Sequence, residues 1–583
     1  MIKNTPTICS FCSNGCGMFI RANGAEAVGI FPITGHPVSQ GRLCNRGWNR
    51  FQNLKSLNRV NRPLIREGAH LKEVSWEEAF QKSKEKISEL LNSYGPQSIG
   101  VVGSPWLTNE DNYVISVFCQ RVLKCNNLDG SYRFSGASAL TALAQVFSGS
   151  ISSLGSIPSL QESPVILVLG KESFRDFSPV GSRIIQAFLK GSTIVLSDPS
   201  CRQAEHFYKF HLPYAIDGLS HILQEKAKIT DEVLQYLAQA GSALVFTADQ
   251  INQSSSLASL LGFLSQLLPA KNQIPTIIPL SRSPNLRGAW DMGIRPGEKG
   301  LNLQEMLDTE SQIKGLLIFA DDLLNHLPSS LMLERLNNLE FLMVADRFFT
   351  ATTRIAHCVL PIPLLAEGEG TMTNCEGRVQ LLRPALSPRG ESRSLQEILS
   401  DLSGRLGNPL SYLSSSGIRK EISNSILAYE KIVSESELDS LSGILLPPPK
   451  QNGITSHSAP TPKSSNGKYY LVIPNTLNAW NRNQMILESP VLTIEYPRDR
   501  VGIRMNPQDA RELKVRMGEK VKIKSERGET QVPVELDENI PPSTLVLFSH
   551  FIEAVEGLTG KGEIDPETRS LYYPNLYVSI EKI

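Results

Sequence analysis

The sequence contains no run of about 18 apolar residues, the minimum for a helix that crosses a bilayer, so no direct membrane span is expected. It does not open with a basic stretch followed by an apolar core; its first residues read MIKNTPTICSFC. Neither a secretory leader nor a twin-arginine export signal is expected, and the location that follows is cytoplasmic. An excess of either charge is also missing. Lys and Arg total 58, Asp and Glu total 58, and the formal net charge is zero. A binder of nucleic acid or anionic lipid needs a basic surplus to attract the polyanion, so no nucleic-acid partner is expected. A disulfide framework is disfavoured as well, because nine cysteines are an odd number in a chain without an export signal. The histidines show no arrangement that would activate a serine or cysteine nucleophile.

At 583 residues the chain is long enough for about four domain-sized units, and 41% hydrophobic with 20% charged residues fits a folded, soluble protein. Its strongest local signal is a cluster of thiols: four of the nine cysteines lie in the first 44 residues, as Cys9-x2-Cys12-x3-Cys16-x27-Cys44. The first three are close enough for one loop to wrap a metal centre, and the fourth returns from a second loop. Four soft thiolates suit either an iron–sulfur cube or a tetrahedral zinc. Gly15, Gly17 and Gly41 would let backbone N–H groups approach the sulfurs. Cys119, Cys125, Cys201, Cys358 and Cys375 contain no pair with ligand spacing and read as buried or incidental thiols.

Residues 1–60 read as a small metal-cluster module. Ser75 followed by Glu78 is a capping box, predicting a helix of about 16 residues. Between 61 and 444, apolar runs alternate with amphipathic segments: 98–103 (SIGVVG), 164–170 (PVILVLG), 192–198 (STIVLSD), 243–247 (ALVFT), 315–320 (GLLIFA) and 341–346 (FLMVAD). Uninterrupted apolar strands of this kind belong to parallel sheets covered on both faces, and there are enough for two interleaved α/β domains. Several end in Gly or Asp at the carboxyl edge, where open α/β sheets bind ligands. Residues 445–468 (ILLPPPKQNGITSHSAPTPKSSNG) read as a linker. Residues 469–583 carry short strand patterns split by turns, a compact β-rich domain.

The opening TICSFCSNGCGMFI…GHPVSQGRLCNRGW resembles the start of the molybdopterin oxidoreductases of the dimethyl sulfoxide reductase superfamily, with the nearest look to formate dehydrogenase alpha subunits. The resemblance continues in order through 108–113 (TNEDNY), 126–129 (NNLD), Leu169-Gly170, Pro179-Val180-Gly181, Ser197-Asp198-Pro199, 288–293 (GAWDMG) and 367–380 (EGEGTMTNCEGRVQ). It implies an α/β multi-domain fold with an N-terminal iron–sulfur module, Rossmann-like parallel sheets and a C-terminal β-barrel around the cofactor. It further implies a 4Fe-4S cluster on Cys9, Cys12, Cys16 and Cys44. The second implied cofactor is a bis(molybdopterin guanine dinucleotide) carrying molybdenum or tungsten, with Gly170, Asp198, Asp346, Thr371, Asn374, Gly377 and Arg378 as binding residues. Arg46, two residues after Cys44, stands where formate dehydrogenases carry Lys and other members carry Arg. A small-molecule substrate and an iron–sulfur or flavin subunit that exchanges electrons with the chain are the implied partners.

The sequence also departs from that pattern. Where formate dehydrogenases read Arg-Val-Cys(or selenocysteine)-His-Gly, this chain has Arg133-Phe134-Ser135-Gly136-Ala137. Ser135 takes the metal-ligand position, a hard oxygen in place of sulfur, and Gly136 takes the place of the catalytic His. That is poor equipment for formate oxidation. The family's His- and Thr-containing loop is replaced by 478–485 (NAWNRNQM), and an acidic Glu556 stands in 555–559 (VEGLT). Three readings follow: a molybdenum or tungsten oxidoreductase, a molybdenum-free electron-transfer or scaffold subunit resembling the complex I G subunit, or a zinc-structured scaffold with no redox role.

Overall fold

The computed structural model describes residues 2–147, 151, 153–200, 207–216, 219, 231–268, 275–327, 330–412, 414–433, 438, 440–448 and 468–583. Cys201 and most of the 445–468 linker lie outside them. The chain forms two compact units: Met1–Arg133 with Arg282–Pro447 and Trp480–Pro497, and Phe134–Ser281 with Pro448–Ala479 and Arg498–Ile583. Among the described residues no helix is long and apolar enough to cross a membrane.

The first unit begins with an antiparallel meander of strands Ile2–Ile8, Gly17–Asn23 and Glu26–Pro32. Alternation puts Met18, Ile20 and Ala22 inward, and they share a core with Phe11, Leu54 and Leu364. Met485, Ile486 and Leu492 complete that core. Segment 480–497 therefore folds with this unit, although by sequence position it stands inside the β-rich C-terminal region.

The larger sheet of this unit has seven strands in the order His70–Glu73, Leu64–Glu67, Cys358–Pro361, Phe341–Asp346, Gly315–Phe319, Ile99–Gly103 and Leu128–Gly130. From Cys358–Pro361 to Leu128–Gly130 the neighbours run parallel. Every residue of Ile99–Gly103 and Phe341–Asp346 is buried, which is why these strands read as unbroken apolar runs. The Ser75–Glu78 capping box is present and opens a 19-residue helix, Trp76–Tyr94, that stops at Gly95 in a left-handed turn (φ 78°). A small sheet pairs Gly370–Thr373 with Arg378–Leu382 and Ile444–Leu445.

The second unit holds a five-stranded parallel sheet ordered Phe210–Leu212, Thr193–Ser197, Val165–Leu169, Ala243–Thr247 and Thr276–Leu280. It also holds a closed six-stranded barrel of Tyr469–Val472, Thr544–Val546, Ile503–Met505, Glu529–Leu536, Lys520–Lys524 and Leu576–Lys582. Leu471, Ile503, Met505, Val521, Ile523, Val532 and Val534 fill the barrel, each the inward member of its strand's alternation.

Candidate functional site

Cys9, Cys12 and Cys16 are buried and Cys44 is half-buried. The Cys9 N–H donates to the Cys16 carbonyl at 2.8 Å, closing the loop that carries the first three thiols. Gly15 in that loop adopts φ 66°, and a Cβ there would fall 2.1 Å from Oε1 of Gln380, so glycine is required twice over. The N–H groups of Phe11 and Asn14 donate to the sulfurs of Cys9 and Cys12. Burial first, then the nearby Cys44, pushes the Cys9 thiol up to about 11 and holds Cys12 at about 12, while Cys16 is raised well above its ordinary value. Such thiols stay protonated unless a metal centre takes the proton's place. Among the described residues no group of three or more Cys, His, Asp or Glu closes to the distance of a single ion's ligands. Asn14, fully buried in the same loop, has an amide side chain without a partner among the described residues, which a sulfur-rich group in the loop would satisfy.

Two cations stand at these thiols. Arg46 is 2% exposed; its Nη1 donates to the Tyr496 hydroxyl at 2.7 Å, and its guanidinium lies 3.8 Å from the centre of the Trp480 ring. Arg50 is equally buried, and nothing in the spacing of the sequence had marked it. Both oppose the rise of the Cys9 thiol.

The same unit contains a cleft of about 590 Å³ at the carboxyl ends of Gly315–Phe319 and Phe341–Asp346. Arg50, Arg347 and Arg482 line it together with Asp321, Asp322 and Asp346. Asp346 accepts from the N–H groups of Arg347 (2.5 Å) and Phe348 (3.2 Å), and burial raises its carboxyl to about 7. Trp106 and His326, also in the lining, stack with ring centres 5.6 Å apart. Asn483, from the unusual 478–485 stretch, lines the cleft with a buried amide nitrogen that has no partner among the described residues. Guanidinium groups for phosphates, carboxylates for guanine N–H donors, a flat aromatic pair and an unspent amide fit a purine dinucleotide.

A second cleft, about 670 Å³, lies in the other unit at the carboxyl ends of Val165–Leu169, Thr193–Ser197 and Ala243–Thr247. Gly170 (φ 80°) and Asp198 line it, as does Glu172. Both Asp198 oxygens are engaged: Oδ2 accepts from Lys171 N–H at 2.8 Å, and Oδ1 from the N–H and hydroxyl of Ser200 at 2.7 and 2.8 Å. Glu172 is raised to about 7, by burial first and by Asp198 second.

The residues expected in the 367–380 stretch behave differently. Thr371 takes Glu110 as acceptor through its N–H (2.7 Å) and hydroxyl (3.1 Å). Asn374 Nδ2 donates to the Asn14 carbonyl at 3.0 Å, while its Oδ1 accepts from Arg378 N–H at 2.8 Å. Gly377 N–H donates to the Asn374 carbonyl at 3.0 Å, and Arg378 pairs with Glu376 at 2.5 Å. None of the four lines either cleft. Asn374 bonds the thiol loop directly and is itself held by Gly377 and Arg378, whereas Thr371 is held by Glu110. Cys375, read as incidental, also bonds the loop: its N–H donates to the Ser13 carbonyl at 2.8 Å. Ser135 is 5% exposed and precedes Gly136, whose φ of 101° opens helix Ala137–Val146. A histidine in that conformation would be strained, so this loop is built for the glycine it carries.

The pattern of the molybdopterin oxidoreductases matches residues 59–405, well over half of the chain. The chain belongs to that family. The family's Fe4S4 domain matches residues 2–55 of this molybdopterin oxidoreductase, and the molybdopterin dinucleotide binding domain matches 469–574. Relatives include the F420-dependent formate dehydrogenase subunit alpha of Methanocaldococcus jannaschii, 25% identical over 95% of both chains. The assimilatory nitrate reductase catalytic subunit of Bacillus subtilis is 23% identical over 97% of this chain and 95% of its own. The acetylene hydratase of Pelobacter acetylenicus shares the fold, with TM-score 0.71, 14% identity and coverage of 99% and 100%. The protein is an enzyme of the oxidoreductase family with a 4Fe-4S module and a molybdopterin dinucleotide site. The reading as a molybdenum-free subunit is disfavoured, because a dinucleotide-binding domain is present alongside the cluster domain.

Proposed function

We propose that this molybdopterin oxidoreductase carries out two-electron chemistry on a small substrate, with one pterin guanine dinucleotide in each cleft and the Ser135 hydroxyl as the protein ligand of molybdenum or tungsten. The observation that carries this reading is the repetition of a cleft lined by polar and charged side chains at the carboxyl edge of a parallel sheet in each unit. When bound, the metal–pterin group supplies two-electron oxidation or reduction at the metal, and the iron cluster supplies one-electron carriage. In the first cleft, Arg347 and Arg482 pair with phosphate, and Asp321 and Asp346 accept from the base. In the second, Gly170 lets the backbone approach, Asp198 holds the loop through Lys171 and Ser200, and Glu172 faces the ligand. Arg46, clamped by Trp480 and Tyr496, places a fixed positive charge at the thiols. Asn374, held by Gly377 and Arg378, acts as a support of the thiol loop. Gly136 offers no base, so the substrate is one whose proton is handled elsewhere than at this position, and formate is not favoured. An iron–sulfur or flavin subunit is the electron partner, and the cytoplasm is the location.

Elemental and nucleotide analysis of anaerobically purified protein tests the proposal. About four iron, about one molybdenum or tungsten and two GMP released per chain on acid hydrolysis are expected. Iron without heavy metal or GMP, from cells that load other molybdoenzymes, would overturn it.

A further inference from the structure

Arg50 and Arg59 are two fully buried arginines with opposite surroundings. Arg59 is held bidentate by Glu367, both N–H···O distances 2.8 Å. Arg50 has no carboxylate in an ion pair among the described residues. Its Nη1 donates to the neutral Asn53 side chain, its Nη2 to the Ser10 hydroxyl at 3.2 Å, and its guanidinium lies 5.6 Å from the Phe11 ring centre. Glu367, whose charge it feels, is already taken by Arg59. A buried cation without a counter-charge is costly and is kept only where an anion completes it. Two places where an anion would bind adjoin it. Ser10 and Phe11 lie between Cys9 and Cys12, and Cys9 is the group that most favours Arg50's charge. On its other side Arg50 forms part of the wall of the first cleft.

We infer that Arg50 is a positioning residue shared by two anions: it raises the reduction potential of the cluster on the Cys9 side and pairs with the phosphate-bearing cofactor in the first cleft. The second half rests on the function proposed above. Arg46, by contrast, is committed to Trp480 and Tyr496. A positive charge beside a cluster favours the electron-rich state, so removing it lowers the potential.

The test compares Arg50→Gln and Arg50→Lys in the full chain, purified anaerobically, by iron content, an EPR-monitored redox titration of the cluster and GMP released per chain. Arg50→Gln is expected to keep its iron and to reduce less readily: poised at the wild-type midpoint, its reduced-to-oxidised ratio falls about tenfold, which for one electron is about 59 mV. It also loses part of its GMP. Arg50→Lys keeps the charge and is expected to titrate with wild type, even if its melting temperature drops. A wild-type midpoint in Arg50→Gln would overturn the inference, and so would a shift in Arg50→Lys as large as that in Arg50→Gln, because hydrogen bonding or packing would then be the cause. If Arg50→Gln arrives without iron, Arg50→Lys decides: wild-type iron and midpoint support the charge role, and loss of either refutes it. The titration needs only the cluster. A wild-type chain without GMP therefore sinks the proposed function, whereas an unmoved midpoint sinks Arg50.

Discussion

In the first cleft Asp346 lies next to Arg347 and three arginines line the wall; in the second, Glu172 lies near Asp198 and, among the described residues, neither Lys nor Arg is in the lining. Both clefts form at the same kind of sheet edge, so the backbone alone does not decide how an anionic ligand is held. The first offers full positive charges to phosphate. The second offers hydroxyls, backbone dipoles and a carboxyl raised toward neutrality. Fixed charge gives affinity that salt weakens, dipoles give affinity that salt touches less, and a carboxyl raised to about 7 in each cleft makes both depend on pH. Four experiments can break or sharpen this contrast.

The largest effect is expected from the thiols. Replacing Cys12 by Ala removes a buried thiol, proposed as a cluster ligand, from the loop packed against the first unit's core. Nearly all iron should be lost, and the unfolding midpoint should fall by more than for any other change considered, because cluster binding is part of the folding free energy. Full iron retention in Cys12→Ala, read by colorimetric iron assay, would mean that Cys375 or another thiol had taken over, and the four-ligand assignment would fail.

Glycine substitutions come next. Gly15→Ala would place a methyl 2.1 Å from Gln380 Oε1 at φ 66°, whereas Gly170→Ala would meet only Glu172 Oε2 at 3.0 Å, at φ 80°. The first should cost about 3 kcal/mol and the second about 1 kcal/mol, the cost of a left-handed non-glycine residue. Chemical denaturation of the two variants checks the order, and equal losses would show that the thiol loop yields as easily as the edge of the second cleft.

The contrast also separates what could be read in the sequence from what could not. The runs at 243–247 and 341–346 coincide with strands because both faces of those strands are covered, and the Ser75–Glu78 pair marks its helix because capping is a local interaction. The cysteines announced themselves by spacing. Arg50 did not, because a buried cation is recognised by what surrounds it, and its surroundings come from residues 40 positions away. Trp480–Pro497 was read with the barrel by its place in the chain, yet Met485, Ile486 and Leu492 pack in the first unit, which a one-dimensional pattern cannot show. Thr371 and Asn374 drew attention as polar residues in a specific stretch. Polarity signals hydrogen bonding without naming the partner, and here the partners are Glu110 and the Asn14 carbonyl.

The pH dependence of stability tests the carboxyls directly. Asp346 is raised from an ordinary 3.8 to about 7 and Glu172 from 4.5 to about 7. Between those values the folded chain holds protons that the unfolded chain has released, so each group's contribution is present at the acid end and is lost as pH rises through about 4 to 7. Asp346→Asn and Glu172→Gln should each flatten that decline and gain about 1–2 kcal/mol over wild type near pH 8. Guanine N–H groups donating to Asp346 would favour its ionised form, so cofactor-loaded protein should show a shallower slope than the free chain. Identical slopes in Asp346→Asn and wild type would remove this carboxyl from the account of the first cleft.

The smallest effect on stability is expected at Ser135, and for that reason it is the cleanest probe of chemistry. The side chain is small, nearly buried and makes no hydrogen bond to another described residue. Ser135→Ala should therefore change stability by less than about 0.5–1 kcal/mol. Ser135→Cys swaps a hard oxygen for a soft sulfur at the same place in the loop, with Gly136 still at φ 101°. If Ser135 is the ligand, the molybdenum or tungsten EPR signature shifts in both variants while iron content and melting temperature stay at wild-type values. An unaltered metal signal in Ser135→Cys would leave the loop as a bystander. The contrast between the clefts would then rest on how the dinucleotides are held and not on how the metal is.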